Sequence, residues 1–149
     1  HEYLTKLANM SDEISVEAGH YFFHEDEDLD NFYLTLEGAV AIVIELPEKD
    51  VQHKVSEQFL RELKTKDVIV STVGSGDIFG WSGLIPPFRS TAGAKAVTDC
   101  RVVAVQIQDI RDLLNEDCEF GLVMTLKAAQ IIRERLRDLR TETLSFIVQ

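Results

Sequence analysis

Hydrophobic positions change period twice along this chain. Over residues 1–13, Tyr3, Leu4, Leu7 and Met10 fall mostly three or four apart, which predicts a short helix. The run opens abruptly, so further residues are expected upstream in the natural protein. Residues 14–107 follow a strand pattern. Ile14 and Val16 alternate with polar neighbours and stop at Gly19, and residues 21–23 form a short apolar run closed by acids. Phe32, Leu34 and Leu36 alternate up to Gly38, and residues 39–44 and 68–73 are rich in β-branched side chains. Val97 and residues 102–107 complete the set. Short strands punctuated by glycine predict an all-β barrel, sandwich or roll. Residues 47–67 interrupt the series. They are polar and charged, yet Val51, Val55, Phe59 and Leu63 recur every four residues, which predicts a long excursion containing a short helix.

From Asp109 the period is helical again. Ile110, Leu113 and Leu114 predict a short helix with Asp109 as its cap. A long helix is predicted from about Asp117 to Leu144. Along it Leu122, Leu126, Ala129, Ile132, Leu136 and Leu139 make one apolar stripe. The stripe exceeds what the end of a roll about two turns wide would cover. It therefore predicts a parallel homodimer through this helix, with the small Ala128–Ala129 pair permitting close approach. Arg133, Arg135, Arg137 and Arg140 interleave with acids and read as a solvated face.

Composition narrows the partners. The 149 residues carry 26 acids against 15 Lys and Arg, a formal net charge of -11. Such a surplus repels phosphate backbones and anionic bilayers, so neither nucleic acid nor a membrane is expected as a partner. The length suits one domain, residues 1–149. No apolar run is long enough to span a bilayer and no leader-like segment opens the sequence, so the cytoplasm is the expected location. Cys100 and Cys118 have no metal spacing and read as free thiols.

The richest segment is residues 74–96, with five of the eight glycines and two of the three prolines. Gly80 and Gly83 bracket Trp81 and Ser82, directly after Ile78 and Phe79. Ser82 is the candidate cap of a short helical turn that ends near Pro86–Pro87. Backbone N–H groups at such a turn attract anions, Arg89 is suited to bidentate phosphate contact, and Ser90 and Thr91 add hydroxyls. Residues 79–96 contain no acid at all. An acid-free loop in an acidic chain fits a single small anion; a tight loop with a solvated arginine is the alternative.

The motifs EAGHYFFHEDEDLDNFYLTLEGAVAIVIE and VGSGDIFGWSGLIPPFRSTAGAKAVTDCRV, followed by two helices, resemble the cyclic nucleotide-binding domain of cAMP-receptor-type regulators, protein kinase regulatory subunits and gated channels. Gly19, Phe23, Asp30, Phe32, Tyr33 and Gly38 carry the resemblance in the first half, and Gly76, Asp77, Phe79 and Gly80 lead into the phosphate-binding cassette. The resemblance implies a mainly β fold with flanking α: an antiparallel eight-stranded β-roll of the jelly-roll type over residues 14–107, an N-terminal helix over 1–13 and C-terminal helices over 109–145. It also implies a non-catalytic sensor or regulatory module. Its ligand residues would be Phe79, Gly80, Trp81, Ser82, Gly83, Leu84, Arg89, Ser90 and Thr91, and its ligand cAMP, cGMP or another small phosphate or anion. Two positions depart from the family. Trp81 stands where the family has a ribose-binding Glu, and in ungapped register Ser90 stands where it has the phosphate-binding Arg. Arg89 sits one residue early, and in a strand that offset reverses the side chain's direction. The alternative is a dimerisation or docking module whose vestigial pocket is filled by Trp81.

Other candidates resolve into plainer readings. Asp26, Asp28, Asp30 and Glu37 have the spacing of a calcium loop, but both flanks read as strands, so the run is expected to be a turn in which Asp26 tolerates a positive φ. His1, His20, His24 and His53 show no metal motif, and the Gly-Trp-Ser-Gly around Ser82 lacks the second half of the G-x-S-x-G elbow of a hydrolase nucleophile. No constellation for catalysis is present.

Overall fold

The computed structural model describes residues 2–47 and 65–148. Helix α1 (Glu2–Asn9) leads into strands β1 (Ser11–Val16), β2 (Tyr21–Phe23), β3 (Asn31–Glu37), β4 (Val40–Pro47), β5 (Thr65–Val73), β6 (Ile78–Phe79), β7 (Gly93–Ala96) and β8 (Cys100–Gln106). Helices α2 (Ile107–Glu116) and α3 (Cys118–Ile147) follow. The strands form two four-stranded antiparallel sheets, ordered β1-β8-β3-β6 and β2-β7-β4-β5. This is the expected mainly β roll with flanking helices.

Register assigns each side chain its face. Tyr33 lies opposite Ala104 and Phe79, and Thr35 opposite Val102. These residues therefore share one face of the first sheet. Val40, Ile42, Val73, Ala94 and Ala96 face them from the second sheet in the same buried cluster. The rings of Phe79 and Tyr33 stack at 4.9 Å, and Phe22 meets Phe79 edge-on at 5.0 Å. A register shift between Tyr21 and Phe23 in the β2–β7 pairing accompanies the reach of both Phe22 and Phe23 to Tyr33. The odd residues Tyr21 and Lys95, paired with each other, take the outer face. There Lys95 bonds the Asp67 carboxylate at 3.2 Å, Tyr21 donates its hydroxyl to the same group, and His24 meets Glu45 at 2.6 Å. The Tyr21 hydrogen bond is the main influence holding Asp67 below its ordinary carboxylate range. Burial is the main influence raising the Tyr21 and Tyr33 hydroxyls.

Several boundaries differ from the sequence reading. Residues 11–13 are strand rather than helix, because Ser11, Asp12 and Glu13 pair with Val105, Ala104 and Val103 of β8. The excursion predicted over 47–67 is shorter at both ends. Pro47 closes β4 opposite Thr65, and residues 65–67 already belong to β5. Val51, Val55, Phe59 and Leu63 lie outside the described residues. Val97 is not in a strand and is half exposed, whereas residues 93–96 form β7. Helix α2 opens at Ile107, so Asp109 lies in its first turn and is not its cap. Asp117 does cap α3, accepting from the Phe120 N–H at 3.0 Å.

Gly38 shows how tightly the turns are set. Its φ is +92°, and a Cβ there would lie 2.5 Å from the Asp99 carbonyl oxygen and 2.8 Å from Cys100 Sγ. Gly38→Ala is expected to lower stability by about 3 kcal/mol, combining left-handed strain with a backbone clash. Urea unfolding checks this; a midpoint unchanged from the parent would refute the close approach.

Candidate ligand-binding cassette

The cassette begins where β6 ends. Gly80 adopts φ +89°, and a Cβ there would press on the Asn31 carbonyl at 3.1 Å and the Phe32 Cα at 3.4 Å. Glycine thus lets the chain turn sharply over β3. The next residues, Trp81–Leu84, form one 3-10 turn closed by Gly83 N–H to the Gly80 carbonyl at 3.3 Å and Ile85 N–H to the Ser82 carbonyl at 3.2 Å. The turn is capped by Gly80, not by Ser82, which lies inside it. No side-chain hydrogen bond caps the turn; a left-handed glycine opens it instead. The chain then passes a cis Pro86–Pro87 bond and Phe88 at φ +66° before it reaches Arg89.

Phe79, Gly80, Trp81, Ser82, Gly83 and Leu84 are therefore brought together in one turn. Trp81 is buried, with its ring edge-on to Phe32 at 4.8 Å. Phe32 faces the opposite side of β3 from Tyr33. The indole therefore packs on the face of β3 that Phe32 occupies. Its Nε1 has no hydrogen-bond partner among the described residues. Gly83 is pressed against Ile107 and Leu29, where a Cβ would collide with the Ile107 side chain at 2.0 Å.

Arg89, Ser90 and Thr91 behave differently. Arg89 Nε donates to the Asp26 carboxylate at 3.0 Å, and its Nη2 donates to the Asp26 backbone carbonyl. The guanidinium is thus engaged by the turn between β2 and β3. Asp26 takes φ +63° in that turn, as the sequence predicts. Ser90 is buried. Its hydroxyl donates to the His24 carbonyl at 2.6 Å and accepts from the Glu27 N–H at 2.9 Å. Its backbone exchanges two more bonds with Asp26 and Glu27, each 2.9 Å. Ser90 thereby fastens the cassette to the acidic turn. Thr91 is exposed.

One residue absent from the sequence reading belongs here. Arg111, on α2, donates from Nε and Nη2 to the Gly83 carbonyl at 3.1 and 2.6 Å. Its guanidinium carbon lies 3.8 Å from the centroid of the Phe88 ring. The available signal was an arginine between the apolar positions Ile107, Ile110, Leu113 and Leu114, one turn from a helix start. Beyond the turn, Leu84 and Ile85 line a groove of about 290 Å³ with Leu114, Met124, Thr125, Ala128, Ala129 and Ile132. Ala128 is buried against the roll, so it is not free to meet another helix as the sequence reading supposed. Among the described residues no group of His, Cys, Asp and Glu could hold a metal ion, and no helix is long and apolar enough to cross a membrane.

Comparison with solved structures agrees with this architecture. A protein of Geobacter metallireducens GS-15 described as cyclic nucleotide-binding is 28% identical, with a TM-score of 0.70, covering 91% of this chain and 86% of its own. The N-terminal domain of a transcriptional regulator from Streptomyces coelicolor is 22% identical, with a TM-score of 0.63 and coverage of 89% and 84%. The c-di-GMP-responsive global regulator CLP of Xanthomonas campestris is 16% identical, with a TM-score of 0.69; this chain is covered to 95% but spans 62% of that protein. No curated protein matches by sequence. The family model of the cyclic nucleotide-binding domain matches residues 13–117. The chain belongs to the cyclic nucleotide-binding domain family.

Proposed function

We propose that this chain is a non-catalytic regulatory module in which a small ligand at the cassette biases the position of α3. The observation that carries the reading is the contact between cassette and helices. Leu84 ends the 3-10 turn, and it and Ile85 border the same groove as Met124, Ala129 and Ile132 of α3. A ligand that reshapes the turn changes what α3 rests on. Cyclic AMP or cyclic GMP is the first ligand class, by family; another small anion is the second. For a phosphate to be held by Arg89, that side chain must leave Asp26, so binding competes with the Arg89–Asp26 pair. The module acts in the cytoplasm as a homodimer through α3. Its charge of -11 directs it away from polyanionic partners.

A second reading has its own observation. Arg89 is tied to Asp26, the Ser90 hydroxyl is engaged by the acidic turn, and Lys95 is held on the outer face by Asp67. That arrangement suits a docking platform with a vestigial pocket. Titration with cAMP and cGMP separates the two, because Trp81 is the single tryptophan and is buried in the cassette. A saturable change in its fluorescence, with a rise in melting temperature at excess ligand, is expected for the sensor. No change with either nucleotide, together with native mass spectrometry showing only bare protein, would establish the platform instead.

A further inference from the structure

Arg111 holds two parts of the cassette that are distant along the chain. Its paired N–H groups fix the Gly83 carbonyl near the end of the 3-10 turn, and its planar face covers Phe88 beyond the proline pair. Phe88 is a non-glycine residue with positive φ, so its conformation needs outside support. On the other side of Arg111, helix α2 is fixed. Ile107 and Ile110 are almost fully buried in the core, and Leu114 reaches the groove shared with α3. One half-buried side chain therefore joins the cassette to the helix on which α3 is founded.

We propose that Arg111 is the positioning residue that couples the conformation of the cassette to α2 and α3. Any rearrangement of residues 80–88 that moves the Gly83 carbonyl must break these two bonds or carry α2 with it. A flat guanidinium suits this role because it bonds in its plane and stacks on its face at once; an ammonium can bond the carbonyl or sit over the ring but has no planar fork to do both. The proposal deepens the regulatory reading and rests on it for its purpose, but the contact itself needs no ligand.

Hydrogen exchange on the full chain without ligand tests it. Arg111→Met and Arg111→Lys are each expected to speed exchange about tenfold in residues 81–88 and, together with them, in α2 and the first turns of α3. Amides of β3 and β8 are expected to stay within about twofold. Phe88→Gly removes the ring while allowing the positive φ. It should speed exchange in α2 when Arg111 is present and have no further effect on α2 in the Arg111→Met background. Loosening of the cassette alone, with α2 and α3 protected as in the parent, would overturn the proposal. So would effects of the two substitutions on α2 that simply multiply. Its failure is separable from failure of the sensor reading. If neither cyclic nucleotide binds but the exchange coupling is present, Arg111 keeps its role and the sensor reading falls. If cAMP protects α3 equally in the parent and in Arg111→Lys, the coupling role falls and the sensor stands.

Discussion

Phe79→Ala is expected to cost about 3–5 kcal/mol of folding stability, among the largest effects of any single substitution in the roll. Phe79 has no solvent exposure. Its ring stacks on Tyr33 at 4.9 Å, meets Phe22 at 5.0 Å and lies 6.2 Å from Phe23. Truncation removes one ring from a four-ring cluster that bridges both sheets, and β-sheet neighbours cannot close the space without breaking register. Domains of this size are stable by only about 5–15 kcal/mol, so the variant is expected to be substantially less populated when warmed. Phe79→Leu keeps most of the volume and is expected to cost under about 2 kcal/mol. Equilibrium urea unfolding measures both, with an unchanged slope showing that the same surface is exposed. The site also responds, because Phe79 directly precedes Gly80. Emission from Trp81 is expected to shift to the red in Phe79→Ala as the cassette loosens. A cost below about 1 kcal/mol would mean that the aromatic cluster is not the keystone described.

The parts of the fold that could be read from sequence are those where packing and local preference agree. The β-branched run of β4 and the alternation in β3 are both strand formers and core formers, so one pattern reports both. Helix α3 is legible from its period alone, because its stripe of Leu122, Leu126, Ile132, Leu136 and Leu139 is largely exposed within the chain. What was misread is where neighbours overrule local preference. Strand β7 is Gly-Ala-Lys-Ala, a poor strand by propensity, and it exists because β2 and β4 pair with it on either side. Small side chains are required there, since a Cβ at Gly93 would already touch Val43 at 3.1 Å. Residues 11–13 joined a helical run by spacing alone, whereas the β8 ladder claims them. The cassette was located by its glycines, but its internal directions were not. Trp81 turns toward Phe32 because left-handed Gly80 reverses the chain over β3, and conformation at a glycine is invisible in a one-dimensional pattern. The role of Arg111 depends on a carbonyl, Gly83, which carries no sequence signature at all.

The register of Arg89 bears directly on what the cassette can bind. In a strand-like segment, moving a side chain by one residue reverses its face. Ser90 is turned inward and engages His24 and Glu27, and Arg89 is turned outward to Asp26. The acidic turn that gives the chain much of its negative charge is thus also what occupies the cassette's cation. The pair is exposed, with side chains 47% and 80% accessible, so it is weak and open to competition by a better anion.

Pairing of α3 with a second copy provides the other large expected effect. At about 1.5 Å per residue its 30 residues extend roughly 45 Å. Only one side of its first half is covered: Ala128, Met124 and Ile131 join the core cluster, and Phe120 is buried. An adjoining face, which takes in the groove-lining Ile132, is apolar and largely exposed. Leu122, Ile132, Leu136, Leu139 and Phe146 are between 47% and 73% exposed. Leu122, Ala129 and Leu136 are seven apart, as are Thr125, Ile132, Leu139 and Phe146, which is the repeat of a two-stranded seam. Because Leu136 and Leu139 lie beyond the roll, charging them leaves the intrachain core intact. In a symmetric pair Leu136→Asp with Leu139→Asp removes four leucines from the seam. At about 1 kcal/mol for each half-buried leucine this is about 4 kcal/mol, or roughly a thousandfold in dissociation constant. Analytical ultracentrifugation is expected to show a dimer for the parent and a monomer for the double variant, with the strand signal in circular dichroism unchanged. A parent that sediments as a monomer at micromolar concentration, or a double variant that remains a dimer, would rule out this seam. If cassette occupancy biases α3, saturating cyclic nucleotide shifts the dimerisation constant of the parent and leaves the double variant monomeric, because linkage requires ligand and partner to act on the same helix.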